Sequence, residues 1–492
     1  MKVDSCLFLL LLAWMGTACS TAPVVAEFVS TTEASFWERQ APVVADAAGE
    51  LAPDVLIDAS AVRQTIEGFG TCFNELGWTS LSLLESQVRE EILKELFAPG
   101  VGANFTLCRM PVAANDFALD WYSYDETEGD FEMKDFSIEN DRKTLIPFIQ
   151  SAQKYLPSLK IWASPWSPPS WMKYNKHYAS RSTMAMARLL AGQSGSTYMS
   201  RVVDNGLPEE REGQEGTDMF IQEEAYLKAY ALYFSKFIEA YRAEGIDIFA
   251  VMPQNEFNSA QIFPSCCWTA AGLANFVGNY LGPAMQEAGV EVIFGTMERP
   301  NERLVDTLLT HPTAAPYIRG VGFQWAGKEA LPGIHARYPE LRLYQTEQEC
   351  GNGKNDWRGA VYSWNLMRHY LENGVSGYLY WNTSLMQGGV SRWGWAQNSL
   401  LVVNEDQTFD YTPEYYVMKH VSHYVRPGAK LLQTEGSFPN HLAFLNPDGG
   451  IVLIAANEEA TERVISIQLN NTRYSPLLKP HSLNTLLIPA RL

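Results

Sequence analysis

From about residue 68 to residue 425 the chain alternates two patterns. Short apolar runs with few charges are followed by longer stretches in which apolar residues return every three or four positions. The short runs fall at 68–73, 106–111, 160–165, 248–255, 292–297, 321–325, 342–346 and 377–381. Such runs suit parallel strands that are covered on both faces. Helical patterns lie between them, clearest at 80–97, 223–244, 269–287 and 358–372, and Gly245 supplies a stop after the second of these. Eight strands alternating with helices predict an α/β chain folded as a (β/α)8 TIM barrel.

From about residue 430 the period changes to two. Runs at 441–446 and 451–457 flank Pro447-Asp448-Gly449-Gly450, a hairpin signal, and further strands are expected at 463–469 and 483–488. The stretch 54–66 is also strand-like and is expected to join the same sheet. The predicted organisation is a barrel over 67–428 with an antiparallel β-sandwich side domain built from 51–66 and 429–492. Residues 180–220, rich in Ser, Gly, Glu and Met, interrupt the barrel after its third strand. An insertion there lies on the carboxyl face, either as a wall of the site or as an excursion into solvent.

Composition narrows the class. The chain has 492 residues, 46% hydrophobic and 19% charged, as in a globular protein with ample core. A formal net charge of −19 argues against a nucleic-acid partner, since phosphate binding needs a basic footprint. At the start, Lys2 precedes an apolar run too short to span a membrane, followed by Gly16-Thr17-Ala18-Cys19. This resembles a lipoprotein-type signal over 1–19 with Cys19 as the lipidated residue, and 20–50 reads as a tether. The expectation is an exported chain, periplasmic or at a bacterial cell surface, otherwise secreted, meeting a membrane only through an anchor on Cys19. Five cysteines remain after the signal and match no zinc spacing. Buried thiols are expected at Cys72, Cys108 and Cys350. His420 and His423 are expected to pack rather than to bind metal, and no cofactor motif is present: Gly68-Phe69-Gly70 lacks the third glycine of a dinucleotide loop.

The candidate chemistry sits at strand ends. Glu256 closes the fourth run in Gln254-Asn255-Glu256, and Glu347 closes the seventh in Gln345-Thr346-Glu347. Two carboxyls at the mouth of a barrel suit a retaining glycosidase, in which one protonates the leaving oxygen and the other attacks the sugar carbon. Strand alternation puts Glu347 and Glu349 on one side, so spacing alone leaves both open. Asn255 is placed to bond a sugar hydroxyl. Asp116 is placed to do the same, and Arg109 to hold a glutamate ionised. Trp166, Trp325 and Trp381 end other strands and offer flat faces for sugar rings, as do Trp171, Trp393 and Trp395 in the loops.

These motifs together resemble glycoside hydrolase family 30, the glucosylceramidase-like enzymes. The resemblance rests on Ile66-Glu67-Gly68-Phe69-Gly70, Arg109-Met110-Pro111 with Asn115-Asp116-Phe117, the stretch Ser164-Pro165-Trp166-Ser167-Pro168-Pro169-Ser170-Trp171-Met172-Lys173, Asn255-Glu256, Thr346-Glu347 with Cys350-Gly351, and Trp381-Asn382. It implies a retaining β-glycosidase without cofactor, with Glu256 as acid/base and Glu347 as nucleophile, and so chooses between Glu347 and Glu349. It places Asp116, Trp166, Asn255 and Trp381 around the sugar. The implied substrate is a β-linked oligosaccharide, glucoside or glycolipid, cut at a β-glucosyl-type bond. A β-fucosidase or β-xylosidase at the same site is the alternative, and a non-catalytic glycan-binding lipoprotein the competing class. Phe257 stands where a proline is common, and Gln324 precedes Trp325 where many members have histidine. These departures, with the 180–220 insertion, are expected around the rim and the leaving-group side.

Overall fold

The computed structural model describes residues 25–191, 201 and 203–490. Eight parallel strands close into a barrel: β1 (Gly68–Cys72), β2 (Leu107–Val112), β3 (Lys160–Pro165), β4 (Ile248–Val251), β5 (Glu291–Met297), β6 (Ile318–Gln324), β7 (Arg342–Glu347) and β8 (Val375–Asn382). The circle closes where Gly377 of β8 pairs with Gly68 of β1. Nearly every strand residue is buried, as the continuous apolar runs require. Gly70 is fixed by close approach. A β-carbon there would lie 1.6 Å from the Leu107 carbonyl oxygen, so any larger residue would push β1 off β2.

Each expected strand is found. The helices differ in two places. The stretch 80–97 is two helices, Glu75–Ser82 and Ser86–Phe97. In the last turn of the first, the Thr79, Ser80 and Ser82 hydroxyls bond back to helix carbonyls, which competes with continuation. The stretch 269–287 is also not uniform: a π-helical turn, Val277–Leu281, separates Ala270–Phe276 from Gly282–Ala288. Gly278 sits on this turn and Gly282 directly after it, close against Thr313 and Tyr317 respectively.

The side domain is an 11-stranded sheet whose main path runs Glu38–Arg39, Val25–Thr32, Ser482–Ile488, Ile451–Asn457, His441–Leu445, Lys430–Glu435, Val55–Thr65, Ile467–Leu469, Thr472–Tyr474, Asp46–Ala47. Both chain ends build it, as expected. It is not wholly antiparallel, because Val55–Thr65 and Ile467–Leu469 pair in parallel. The expected tether over 20–50 is also corrected. Val25–Thr32 is a strand zipped antiparallel to Ser482–Ile488 through six paired residues. Ala26 and Phe28 enter the side-domain core while Val25 and Glu27 stay exposed. The reading from composition missed this because the partner strand lies more than four hundred residues away. The signal over 1–19, with Cys19, lies outside the described residues.

His420, on the helix Pro413–Ser422, fastens this sheet to the barrel. It is fully buried, with Nδ1 2.8 Å from Thr485 Oγ1 and Nε2 2.8 Å from Thr31 Oγ1. Burial pushes its imidazole down to about 3. Both ring nitrogens are thus engaged in hydrogen bonds within the packed interior. Cys72, Cys108, Cys266, Cys267 and Cys350 are free, buried thiols. Among the described residues no helix is long and apolar enough to cross a membrane.

Candidate active site

The carboxyl ends of the barrel strands converge on one pocket of about 230 Å³. Its lining includes Asp116, Trp166, Glu256, Trp325 and Glu347. Glu256 reaches it because Pro253, which has no N–H for the ladder, follows closely on the end of β4. The Asn255 N–H then bonds the Pro165 carbonyl at 2.7 Å, and the Glu256 N–H bonds Thr296 Oγ1 at 2.8 Å. Glu256 has φ 47°, the left-handed region, and so does Trp325 just past β6. Such backbone costs on the order of 1–3 kcal/mol per residue, and here it turns two pocket residues towards the barrel axis.

Glu347 is the last residue of β7. Its Oε2 accepts from Arg109 Nη1 at 3.2 Å and from Gln324 Nε2 at 3.2 Å, and its Oε1 accepts from Trp325 Nε1 at 3.1 Å. Arg109 is fully buried on β2 and donates further to Ser164 Oγ at 2.8 Å and Asn255 Oδ1 at 2.6 Å. Its guanidinium lies 4.5 Å from the Trp166 ring centroid, and Trp166 stacks on Trp381 at 5.2 Å. A buried arginine with this many partners is held in one orientation, so its charge stays beside Glu347.

Glu256 is held differently. Oε1 accepts from Gln324 Nε2 at 3.0 Å, while Oε2 is buried without a hydrogen-bond partner. Burial first, and then the neighbouring Glu347 charge, raise its carboxyl to about 7. Burial also raises Glu347, but Arg109, Trp325 and Gln324 oppose it. Of two coupled carboxyls, the one beside the arginine is therefore the one that ionises. Burial, followed by the Glu347 and Glu256 charges, pushes Asp116 well above the usual carboxylate range. Asp116 Oδ1 and Trp381 Nε1 are also buried without partners. Unpaired polar atoms buried at this centre are costly and call for a partner of matching polarity.

All eight sequence-nominated residues meet here, in two layers. Glu256, Glu347, Asp116, Trp166 and Trp325 line the pocket. Arg109 bonds Glu347 from behind, Asn255 Oδ1 accepts in turn from Arg109, and Trp381 is fully buried against Trp166. Glu349 leaves the site altogether: β7 ends at Glu347, and Glu349 pairs with Lys328 at 2.6 Å. Among the loop tryptophans, Trp395 lines the pocket, whereas the Trp171 indole donates to the Asp125 carbonyl and that of Trp393 to the Tyr178 hydroxyl. Met186, in the 180–220 insertion, lines the pocket too, so that segment forms part of its wall.

Two departures lie deeper than expected. Phe257 is buried against Phe294, and Gln324 is fully buried between the two glutamates rather than at the rim. Sequence reasoning also missed Glu298 and Arg299, which follow β5 and line the pocket beside Glu256 as an ion pair. Their position directly after an apolar strand was the available signal.

The model of the Glycosyl hydrolase family 30 TIM-barrel domain matches residues 66–205 and 210–425. That of the Glycosyl hydrolase family 30 beta sandwich domain matches residues 428–486. Putative glucosylceramidase 4 of Caenorhabditis elegans is 29% identical over 470 residues, covering 88% of this chain and 83% of that protein. Endo-1,6-beta-D-glucanase neg1 of Aspergillus fumigatus is 28% identical over 459 residues, covering 88% of this chain and 86% of that protein. The crystal structure of SrfJ from Salmonella typhimurium shares the fold at a TM-score of 0.82 and 22% identity, over 95% of this chain and 100% of that one.

Proposed function

The chain belongs to glycosyl hydrolase family 30, and from that premise we propose that it is a retaining β-glycosidase with Glu347 as nucleophile and Glu256 as acid/base. One observation carries the reading: a single amide nitrogen, Gln324 Nε2, lies within hydrogen-bond reach of both carboxyls. Two hydrogen bonds to one nitrogen hold an oxygen of each carboxyl close together, which suits the about 5–5.5 Å carboxyl separation of a retaining pair better than the about 6.5–9.5 Å of an inverting one.

In the first step a Glu347 oxygen bonds to the anomeric carbon while the bond to the leaving oxygen breaks. The Glu256 proton passes to that oxygen. Arg109 and the Trp325 indole hold Glu347 ionised until it reacts. Esterification removes the neighbouring charge, which lowers the proton affinity of Glu256 and makes it a base. Glu256 then takes a proton from water, the hydroxyl bonds to the anomeric carbon, and Glu347 is released. The unpaired oxygen of Asp116 bonds a sugar hydroxyl, and Trp166 walls the pocket beside it. The names of the relatives support a β-glucosyl bond as the one cut. The resemblance of residues 1–19 to a lipoprotein-type signal ending at Cys19 supports export with a lipid anchor.

The test is release of nitrophenol from aryl β-glucoside, β-fucoside and β-xyloside, with Glu347→Gln as control. Fastest release from the glucoside, lowered at least about 1000-fold in a folded Glu347→Gln protein, is expected for loss of the nucleophile. Near-normal turnover by that variant contradicts the assignment, and preference for another aryl glycoside replaces the sugar.

A further inference from the structure

Gln324 ends β6, and its side chain is fully enclosed. Its Oε1 lies 3.3 Å from Arg109 Nη1 and 2.8 Å from Thr346 Oγ1. Arginine carries donors only, so the atom facing it is the oxygen and the amide has one orientation. Nε2 then faces Glu256 Oε1 at 3.0 Å, Glu347 Oε2 at 3.2 Å and Asn255 Oδ1 at 3.2 Å. Asn255 Oδ1 already accepts from Arg109 Nη2 at 2.6 Å and from Thr296 Oγ1 at 3.1 Å, which fills its two lone pairs. An amide nitrogen has two hydrogens, and the two glutamates are the acceptors left for them.

We propose that Gln324 is the positioning residue of the carboxyl pair: it gives one hydrogen to each glutamate, and because its amide does not titrate it sets the pH window in which Glu256 is protonated while Glu347 is ionised. The proposal rests on the assignment of that pair made above. The charged and titratable groups facing this centre are Arg109 from β2, Asp116 from the loop after it, Glu256 after β4, Glu298 and Arg299 after β5, and Glu347 on β7. Cys72 and Cys350, also near Glu347, are buried thiols pushed far above neutrality and stay protonated. None of these groups duplicates what Gln324 does, since Arg109 bonds Glu347 but not Glu256, and among the described residues Glu256 Oε1 has Gln324 as its side-chain donor.

The sign follows from the donors. A hydrogen bond to a carboxylate favours its charged form, so removing it raises the proton affinity of that carboxyl. Gln324→Met keeps the length of the side chain and removes both hydrogens. Glu347 then protonates at higher pH, and Glu256 holds its proton to higher pH. Both limbs of the profile of kcat/KM against pH move up, by about one unit each, which is about a tenfold loss of kcat/KM at a pH below the acid limb. A residue that only fills space would lower the rate at every pH and leave the limbs in place.

The experiment is the pH profile of kcat/KM on an aryl β-glucoside for the wild-type protein, Gln324→Met and Gln324→His, with thermal melts to confirm folding. Upward movement of both limbs in Gln324→Met is the expected result. In Gln324→His a third ionisation enters, and the profile no longer fits two groups. Unmoved limbs in folded Gln324→Met overturn the proposal. Where that variant does not fold, an unchanged two-group profile in Gln324→His overturns it. A wild-type profile with two limbs together with an inactive Glu347→Gln confines either failure to Gln324. A wild-type protein without that behaviour overturns the pair and the proposal together.

Discussion

Glu256 and Glu347 share one buried pocket, and two carboxylates so placed do not ionise together. Their neighbours separate the roles. Glu347 receives a guanidinium, an indole and an amide, whereas Glu256 receives the amide alone and keeps one oxygen unpaired. The consequence is readable in solution. Glu256 has to be protonated to serve as acid, and burial with the Glu347 charge raises it to about 7. The kcat/KM of the wild-type protein is therefore expected to be level just below neutrality and to fall about tenfold per unit as pH rises beyond that value. A profile already falling from pH 5 would mean that the acid is a carboxyl without this burial. The residue scale was also where the sequence was most informative, since Glu256, Glu347, Arg109, Asp116, Trp166, Asn255, Trp325 and Trp381 all converge. Gln324 was noticed in the sequence but expected around the rim, because a glutamine at a strand end has many uses, and only its contacts show that its two hydrogens have two carboxyl acceptors.

Elements were legible to the extent that burial wrote them into the sequence. A strand covered on both faces has to be largely apolar, so all eight barrel strands stood out as short runs with few charges. Helix interiors were harder. The break between Glu75–Ser82 and Ser86–Phe97 keeps an apolar spacing across it, and the hydroxyls that end the first helix act through local bonds that periodicity does not register. The strand Val25–Thr32 was hidden for another reason. Ala, Val and Thr suit a strand and a tether equally, and the Ser482–Ile488 edge that decides between them is remote in sequence. Alternation failed at Glu349 because the strand stops two residues earlier.

At the scale of the whole molecule, a buried histidine is one of the contacts that tie the first and last described strands to the barrel. His420 reaches Thr31 on one strand and Thr485 on the other, and is kept neutral by burial, its imidazole pushed down to about 3. The unfolded imidazole titrates near about 6.5. A base whose folded value is lowered contributes stability that is complete above the unfolded value and is lost as pH falls below it. His420→Gln retains polar reach without the titration. It is expected to be less stable than wild type by about 1–3 kcal/mol at pH 7.5. By pH 5 that gap narrows by about 2 kcal/mol, because only the wild-type unfolded state gains the proton there. Denaturant unfolding at the two values measures the gap, and a gap that stays constant removes His420 from the acid response.

Retention requires Glu347 to form the bond to the sugar. Incubation with a 2-deoxy-2-fluoro aryl β-glucoside, which slows the second step more than the first when the leaving group is good, followed by mass spectrometry of the digested protein, tests this directly. The expected result is one fluoroglucosyl unit per chain, carried by the peptide containing Glu347 and absent from Glu347→Gln. Label on Glu256 or Glu349, or hydrolysis with inversion and no label, would contradict it.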